Sequence, residues 1–506
     1  MAKLSKWLHW LDNNLLKILL IGSLFIVPLY PKIPLKMITY TYVAVRLEDI
    51  YIAILYAIFA LYVLRRKVVL PRKFVVLFCL YWVAVFASFV YGVYIKQNLH
   101  YHQLAFLNAA RRIEYMGIFF VAAAVVKKRE DVLFYLKWIF FVFMIVGVYG
   151  IGQKFLGWPA VQTMNAEYAK GYILFLTPEA RISSTFAGHY DLAAYLVFLI
   201  PLVIGFYFFQ KRIKYILLFL ISLFALVLTA SRASYIAYIV STASLLIWFR
   251  KFKYLLGVIL VTAVFTLLSG NLTSRLQRTF QVKRIFVNET TGQVYIPQKI
   301  SADKLPAGGA ILDPALLGSL ATKNISKTAT NEALLRQELF DQVREKAAKE
   351  GKKLTVDEAE ALVASIAGTL KPMTTVVSDI SFSTRLQVEW PRALIAFVKN
   401  PLLGTGPSSI TESTDNDYLR SLGEVGLLGS ITFGLIFFFI IKTVFVGVKR
   451  FEEREKMVYF GFLFGLFGLL INATYIDVFE ASKVAYTFWI ISGLFVGSLL
   501  LKESNS

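Results

Sequence analysis

The feature that most constrains this chain is a series of apolar runs, each close to the length that crosses a lipid bilayer. A transmembrane helix needs about 20 mostly apolar residues to cross about 30 Å of hydrocarbon. The chain has 506 residues, 57% of them hydrophobic, and a mean hydropathy of +0.63, a balance that soluble domains do not reach. The alternating segments of about ten residues that are typical of a membrane β-barrel are not seen. The sequence therefore predicts an all-α polytopic membrane protein.

The apolar runs predict about twelve transmembrane helices. Their approximate positions are 14–30, 48–64, 74–94, 112–126, 132–156, 189–209, 215–230, 233–249, 254–270, 428–448, 457–473 and 485–501. Lys and Arg are enriched in short cytoplasmic loops, and five basic clusters occur between the runs, at 65–73, 127–129, 211–214, 250–253 and 449–456. Placing all five inside gives strict alternation, with both termini cytoplasmic. The formal net charge of +22 is then a signature of topology, and we expect no nucleic-acid partner.

The run from Tyr215 to Phe249 carries Arg232 in its middle. As one helix its roughly 35 residues would be about 52 Å long, far more than a bilayer requires. Both flanks are basic, so both ends are predicted to be cytoplasmic. We therefore expect two short helices, with the sequence TASRAS at the outer tip between them.

A long segment between the ninth and tenth spans differs in composition from the rest. It is rich in charged residues and carries two helical patterns, NEALLRQELFDQVREKAAKEGKK and TVDEAEALVASIAGTL. We predict three parts: transmembrane helices 1–9 in 1–270, a partly helical extracytoplasmic loop domain in 271–390, and an interfacial or re-entrant segment with helices 10–12 in 391–506. Internal repeats are not evident, which disfavours a transporter built from two halves.

Polar residues gather where the predicted spans meet the outer face. Ionisable residues at membrane depth must pair or line a hydrated cavity, so they indicate a functional site. They form four groups: Arg181, His189 and Asp191 at the sixth span; Ser231 and Arg232 at the tip between the seventh and eighth; Arg385, Trp390 and Arg392; and Asp415, Asn416, Asp417 and Arg420 before the tenth.

Each of these residues also has a structural alternative. Arginines at span ends can anchor a helix by snorkelling, and Arg232 can satisfy loop carbonyl groups. His189 can be a helix cap or an interface residue. Asp415 and Asp417 can cap or stabilise the N-terminus of a helix. The four groups together are more informative than any one residue.

Several arginines at one surface suit a diphosphate, because guanidinium groups match phosphate oxygens and stay charged when partly buried. A nearby carboxylate or imidazole can take a proton from a hydroxyl nucleophile. The sequence contains no Walker-type phosphate loop, so a lipid-borne donor is favoured over a soluble nucleotide. Its single cysteine and four scattered histidines predict no metal site.

Four stretches resemble the superfamily of O-antigen ligases and O-antigen polymerases, bacterial membrane glycosyltransferases. RISSTFAGHYDLAAYL (Arg181–Leu196) is similar to an arginine-containing segment that leads into a span of the family. LTASRASY (Leu228–Tyr235) resembles its Ser-Arg hairpin, and STRLQVEWPRALIAFVKNPLLGTG (Ser383–Gly406) its Arg…Trp…Asn-Pro-x-x-Gly-x-Gly run. DNDYLRSLGEVGLLG (Asp415–Gly429) has the spacing of its His-Asn-x9-Gly-x-x-Gly motif.

The resemblance implies an undecaprenyl-diphosphate-linked glycan donor, a glycan acceptor, inversion at the anomeric carbon and neither metal nor other cofactor. Ligases carry histidine where this chain has Asp415, and polymerases do not share it, so polymerisation of repeat units is favoured. We expect Arg181, Arg232 and Arg385 to bind the diphosphate. The candidates for the general base are Asp415, Asp417 and His189, and the further substrate contacts are Asp191, Ser231, Trp390, Arg392 and Asn416.

The resemblance also places the chain in the bacterial cytoplasmic membrane, with its site at the outer face and a chain-length regulator or a flippase as a candidate partner. Three alternatives stay open. The first is ligation of the glycan to lipid A core or to a protein hydroxyl. The second is a polysaccharide or lipid transporter, although transporters place their sites near the midplane and not at one face. The third is a structural scaffold of an envelope complex.

Overall fold

The computed structural model describes residues 2–37, 44–97, 99, 102–163, 168–270, 272–273, 280–288, 294–295, 340, 355, 357–361, 363, 370–378, 385–410 and 414–501. The chain divides into two compact units. The first comprises Met1–Arg275 and Thr384–Ser506, and the second comprises Leu276–Ser383. The predicted domain boundaries at 271 and 391 stay predictions.

The first unit is built from helices. They are α1 (Ala2–Leu29), α2 (Leu47–Leu64), α3 (Arg72–Val90), α4 (His102–Val125), α5 (Arg129–Phe155), α6 (His189–Gln210), α7 (Ile213–Leu228), α8 (Arg232–Trp248), α9 (Phe252–Leu268), α10 (Trp390–Lys399), α11 (Asp417–Gly447), α12 (Glu453–Asn472) and α13 (Ser482–Leu500). Short turns of π-helix cover Tyr91–Ile95 and Arg385–Glu389. A small antiparallel hairpin joins β1 (Lys36–Met37) and β2 (Ala44–Val45).

The helices confirm a polytopic α-helical membrane protein. Among the described residues, eight helices are long and apolar enough to cross a membrane. The helices α7, α8 and α9 are shorter, and α4 carries Arg111, Arg112 and Glu114 among its apolar residues. Each of the predicted spans overlaps one helix, but the number of about twelve crossings stays a prediction.

The chain breaks where the charge pattern between Tyr215 and Phe249 predicted a break. Helix α7 ends at Leu228 and α8 begins at Arg232. Between them Ala230 adopts a positive φ of 48°, a conformation that stops a right-handed helix. The expected pair of short helices is therefore confirmed.

Helices α6 and α13 form the centre of the first unit, because nearly all of their side chains are buried. Glycines in α12 and α13 allow their backbones to approach the neighbouring helices closely. A Cβ atom on Gly465 of α12 would lie 2.2 Å from the carbonyl oxygen of Phe198 in α6, and one on Gly493 of α13 would lie 2.3 Å from that of Phe119 in α4. Small residues of this kind are typical of helix contacts within membranes.

The second unit contains a sheet that the sequence did not predict. Strand β3 (Phe280–Asn288) pairs along its whole length with β5 (Leu370–Ser378), and β4 (Val294–Tyr295) pairs with the other edge of β3; all pairs are antiparallel. Of the two helical patterns expected here, the one at 331–353 lies outside the described residues except for the helical residue 340. In the other, residues 357–361 and 363 are helical.

Candidate active site

The Asn-Pro-x-x-Gly-x-Gly run after α10 is paired, backbone to backbone, with a kink in α11. The Gly406 amide donates to the Glu424 carbonyl at 3.0 Å, and the Leu427 amide donates to the Pro401 carbonyl at 2.8 Å. Gly426 interrupts the helix with φ +62° and ψ −164°, a region essentially restricted to glycine. We call these backbone contacts between residues 401–406 and 424–427 the clamp. The clamp holds α10 against α11, and it thereby positions Arg385, which precedes α10, and Asp415, which precedes α11.

Arg385 and Asp415 form an ion pair between these two segments. Arg385 Nη2 donates to Asp415 Oδ2. The arginine side chain is only 4% exposed, whereas that of the aspartate is 25% exposed. Asp415 has a positive φ of 49°, which aspartate tolerates better than most residues. The pair joins the third and fourth groups that the sequence singled out.

Two tyrosines bring the three predicted arginines into one neighbourhood. Arg181 and Arg385 both lie against Tyr190, with their guanidinium carbons 5.4 and 5.8 Å from the centre of its ring. Arg385 also lies 4.1 Å from the ring centre of Tyr475. The charge of Arg232 acts on the same Tyr475 hydroxyl. Arg181 and Arg385 therefore contact the two tyrosines, and Arg232 lies close enough for its charge to act on Tyr475.

The Tyr475 hydroxyl lies in the loop between α12 and α13. Burial raises the pKa of this hydroxyl, and the neighbouring Arg385 and Arg232 lower it by a smaller amount. The phenol is thus protonated at neutral pH, and it can donate a hydrogen bond to an anion that the arginines attract.

Asp477, in the same loop, organises the backbone in front of α11. Its carboxylate accepts hydrogen bonds from the amides of Thr414, Asp415 and Asn416 at 3.1, 3.2 and 3.0 Å. It also accepts one from Arg420 Nη1 at 3.1 Å. No pattern in the sequence indicates this role, because the residues that Asp477 contacts are about 60 positions away.

Asn416 and Asp417 have structural contacts. Asn416 is the N-cap of α11, and its side-chain oxygen accepts a hydrogen bond from the Leu419 amide at 3.0 Å. The buried Asp417 Oδ2 accepts hydrogen bonds from the amides of Val478 and Phe479 at 2.7 and 3.2 Å. These contacts favour the structural alternative for both residues, and their roles in chemistry stay predictions.

His189 and Asp191 occupy the first turn of α6. The His189 ring is buried, with its centre 4.1 Å from that of Tyr190, so it supports the tyrosine that the arginines contact. Asp191 lies within range of the charges of Lys32 and Lys483, and also of Asp415. Asp191 is therefore close enough to interact electrostatically with Asp415 in the candidate site and with the two lysines.

Ser231, Trp390 and Arg392 lie in different surroundings. The buried Ser231 Oγ lies 2.8 Å from Ser234 Oγ, which donates to Asn472 Oδ1 at 3.0 Å, so Ser231 belongs to a chain of hydroxyl groups that ties α8 to α12. Trp390 begins α10 and is half-buried, whereas Arg392, on the same helix, is exposed. Their contacts with substrate stay predictions.

A buried network of opposite charges lies beside this site. Arg112 of α4 pairs with Glu424 at 2.5 Å and with Glu480 at 3.2 Å, and Arg420 lies 3.4 Å from Glu424. Burial raises the pKa of Glu480, but the charges of Arg112 and Arg420 outweigh this and lower it below its usual range. A cavity of about 30 Å³, the size of a water molecule, adjoins the network. Buried charges of this kind need partners of opposite charge. The sequence shows that these charged residues are present, but it does not show which of them form ion pairs.

A second interaction that the sequence analysis missed centres on Lys483, near the start of α13. The buried ammonium group donates to three backbone carbonyls. These are the carbonyls of Pro28, Tyr30 and Thr185, at 3.0, 2.7 and 2.6 Å. The lysine thereby ties the end of α1 to the segment that carries Arg181.

The chain matches a known protein family over part of its length. Residues 216–434 match the model of a protein family described as O-antigen ligase. The match includes three of the four stretches that carry the resemblance, and it confirms the recognition of the O-antigen ligase and polymerase superfamily. It indicates a function of ligase or polymerase type in surface glycan assembly. No curated protein matches the chain.

Proposed function

We propose that the protein polymerises lipid-linked oligosaccharide repeat units into a surface polysaccharide at the outer face of the bacterial cytoplasmic membrane. The donor is an undecaprenyl-diphosphate-linked glycan, and the acceptor is a second lipid-linked glycan. The observation that carries this proposal is the position of Arg181 and Arg385 over the Tyr190 ring, with Arg232 close enough for its charge to act on Tyr475.

The arginines suit the diphosphate of such a donor. Their planar groups present several N–H donors that match phosphate oxygens, and they remain charged in a partly buried site. Donors that are already in place when charge develops on a leaving group lower the barrier without further reorganisation. In this proposal Arg181 and Arg385, with Arg232 beside them, neutralise the diphosphate as it leaves, and we expect no requirement for a metal ion.

The reaction is a direct displacement at the anomeric carbon of the donor. A hydroxyl oxygen of the acceptor forms the new bond to that carbon, and the bond from the carbon to the diphosphate oxygen breaks. The bonding electrons leave with the diphosphate, and the proton of the hydroxyl passes to a base on the protein. Attack from the side opposite the leaving group inverts the configuration.

Asp415 has a positioning role in this proposal. Its Oδ2 is bound to Arg385, so this oxygen is already occupied by the guanidinium group. Asp415 therefore fixes the direction of the Arg385 guanidinium, which leaves the proton acceptor to be assigned to another group.

Ligation to lipid A core or to a protein hydroxyl is the second candidate function, because the matched family is described as O-antigen ligase. It uses the same bond changes with a different acceptor. The assay below separates the two: lipid-linked repeat units alone yield a ladder of longer glycans with a polymerase, whereas a ligase needs the added acceptor.

The test uses purified protein in detergent with an undecaprenyl-diphosphate-linked repeat unit. Extension of the glycan without a sealed membrane cannot result from transport, so it also excludes a transporter. We expect Arg181→Ala, Arg232→Ala and Arg385→Ala each to lower turnover by about 100-fold or more, the cost of losing one preorganised donor. Arg212→Ala, in an exposed basic loop between α6 and α7, is the matched control. Normal product ladders in all three site variants would refute the diphosphate site.

A further inference from the structure

Glu389 has a buried carboxylate oxygen to which no described residue donates a hydrogen bond. The residue ends the π-helical turn Arg385–Glu389, directly before α10. Its Oε2 is buried and has no hydrogen-bond partner among the described residues. Nearly all buried polar atoms are hydrogen-bonded, so an orphaned oxygen next to a candidate active site calls for an explanation.

The charges around Glu389 set its protonation. Asp415 and Asp477 disfavour its ionised form, and Arg385 and Arg392 favour it. Arg385 is bound to Asp415, and its effect on Glu389 is smaller than that of Asp415. Burial, followed by the charge of Asp415, raises the pKa of Glu389 to about 7. A group that titrates near neutral pH combines a useful fraction of the ionised form with enough basicity to take a proton.

The two aspartate candidates for the base are held by contacts of their own. Asp415 Oδ2 is held by Arg385, and Asp417 Oδ2 accepts two backbone amides. The His189 ring packs against Tyr190, the tyrosine that the arginines contact. Glu389 therefore combines closeness to Arg385 and Asp415 with an oxygen that is left to accept a proton.

A second orphaned atom lies in the next residue. The indole Nε1 of Trp390 is buried and also has no hydrogen-bond partner among the described residues. An indole N–H can only donate, and a carboxylate can only accept. A sugar presents hydroxyl groups that do both, so one bound sugar can satisfy the two atoms of Glu389 and Trp390 together.

We propose that Glu389 is the general base of the glycosyl transfer and that Trp390 Nε1 donates a hydrogen bond to the same acceptor sugar. The inference rests on the proposed function. Glu389 Oε2 accepts the proton of the attacking hydroxyl group of the acceptor. At the same time the oxygen of that hydroxyl group bonds to the anomeric carbon of the donor. The bond to the diphosphate breaks in the same step, and the arginines neutralise the leaving group. The carboxylic acid then returns its proton to water.

The experiment compares the full-length Glu389→Gln variant with the unmutated protein in the detergent assay. We expect kcat to fall by about 100- to 10,000-fold, the usual contribution of general base catalysis. The KM for the lipid-linked donor should stay unchanged, because the arginines are intact. In the unmutated protein kcat/KM should fall as the pH drops through about 7, and the variant should lose this limb of the profile.

Three further variants separate chemistry from structure. Glu389→Ala should regain turnover when formate is added, because a small carboxylate can occupy the space of the missing one. Trp390→Phe should raise the KM for the acceptor more than it lowers kcat. Glu455→Gln, in an exposed turn at the start of α12, is the matched control and should behave as the unmutated protein.

The outcomes distinguish this inference from the proposed function. If the unmutated protein extends the glycan and Glu389→Gln keeps both its kcat and its pH profile, Glu389 is not the base, although the transferase proposal stands. If the unmutated protein transfers glycan to none of the acceptors supplied, the proposed function itself fails. A lower melting temperature and weaker donor binding in Glu389→Gln, without a change in the pH profile, would assign the residue a structural role and overturn the inference.

Discussion

Replacing Gly426 by alanine should break the clamp that positions the site. Gly426 has φ +62° and ψ −164° inside α11, where a side chain is strained whatever space surrounds it. A Cβ atom there would lie 2.4 Å from the Leu402 carbonyl oxygen and 2.6 Å from the Gly404 amide nitrogen. Both atoms belong to the backbone, so neither can rotate away. The substitution must move the Asn-Pro-x-x-Gly-x-Gly run or the helix.

The size of the effect follows from these contacts. The unfavourable backbone conformation costs about 1–3 kcal/mol, and forcing an extra carbon into a filled space costs about 1–3 kcal/mol more. Alanine recovers about 0.4–1 kcal/mol by restricting the unfolded chain. The net loss in the free energy of unfolding should therefore be about 1–6 kcal/mol.

Gly434, further along α11, is the matched control. It is exposed, and a Cβ atom there would meet no atom within 4 Å. Gly434→Ala should raise the free energy of unfolding by up to ~1 kcal/mol, because alanine favours the helix more than glycine does. Thermal unfolding in detergent measures the loss of stability. Glycan extension at a permissive temperature measures the loss of transferase activity. The argument fails if Gly426→Ala melts at or above the temperature of Gly434→Ala, or if it retains full transferase activity.

Three further predictions concern single contacts. Arg385→Lys should lose most of the turnover in the detergent assay, because a lysine cannot bind Asp415, the tyrosines and a diphosphate at once; full activity would show that charge alone suffices. Asp417→Asn should keep its activity and its melting temperature, since the amide oxygen can accept both backbone amides, and a selective loss of kcat would instead assign this residue to the chemistry. Lys483→Met should lower the melting temperature, because three buried carbonyls lose their donor at about 1–3 kcal/mol for each unsatisfied group; an unchanged melting temperature would show that water replaces the lysine.

The helices were predictable because their signals are local. Apolar length identifies a membrane helix, and basic clusters show where a run of uniform hydropathy must be divided. The break between Leu228 and Arg232 is the clearest case, since the residues around it contain neither proline nor glycine. Only the length of the run and the charge on its two flanks required two helices there.

The sheet of the second unit was not predictable in this way. Strands β3 and β5 pair although about 80 positions separate them, and the helical pattern that precedes β5 suggested that helix continued up to Leu370. Pairing between distant strands depends on neighbours that one segment does not reveal. The number of membrane crossings is uncertain from sequence for a related reason, because α7, α8 and α9 are each close to the shortest length that spans a bilayer.

The partners of the buried polar residues could not be predicted from the sequence. A charge near an apolar run indicates that a partner or a cavity exists, but the partner comes from elsewhere in the chain. Glu424 is paired with Arg112, more than 300 positions away, and Asp417 is bound by the loop after α12. Glu389 differs from these two carboxylates, because no described residue donates a hydrogen bond to its buried Oε2. Buried polar atoms are normally hydrogen-bonded, so an atom of this kind beside the candidate site marks a surface on which a polar substrate can supply the missing bond.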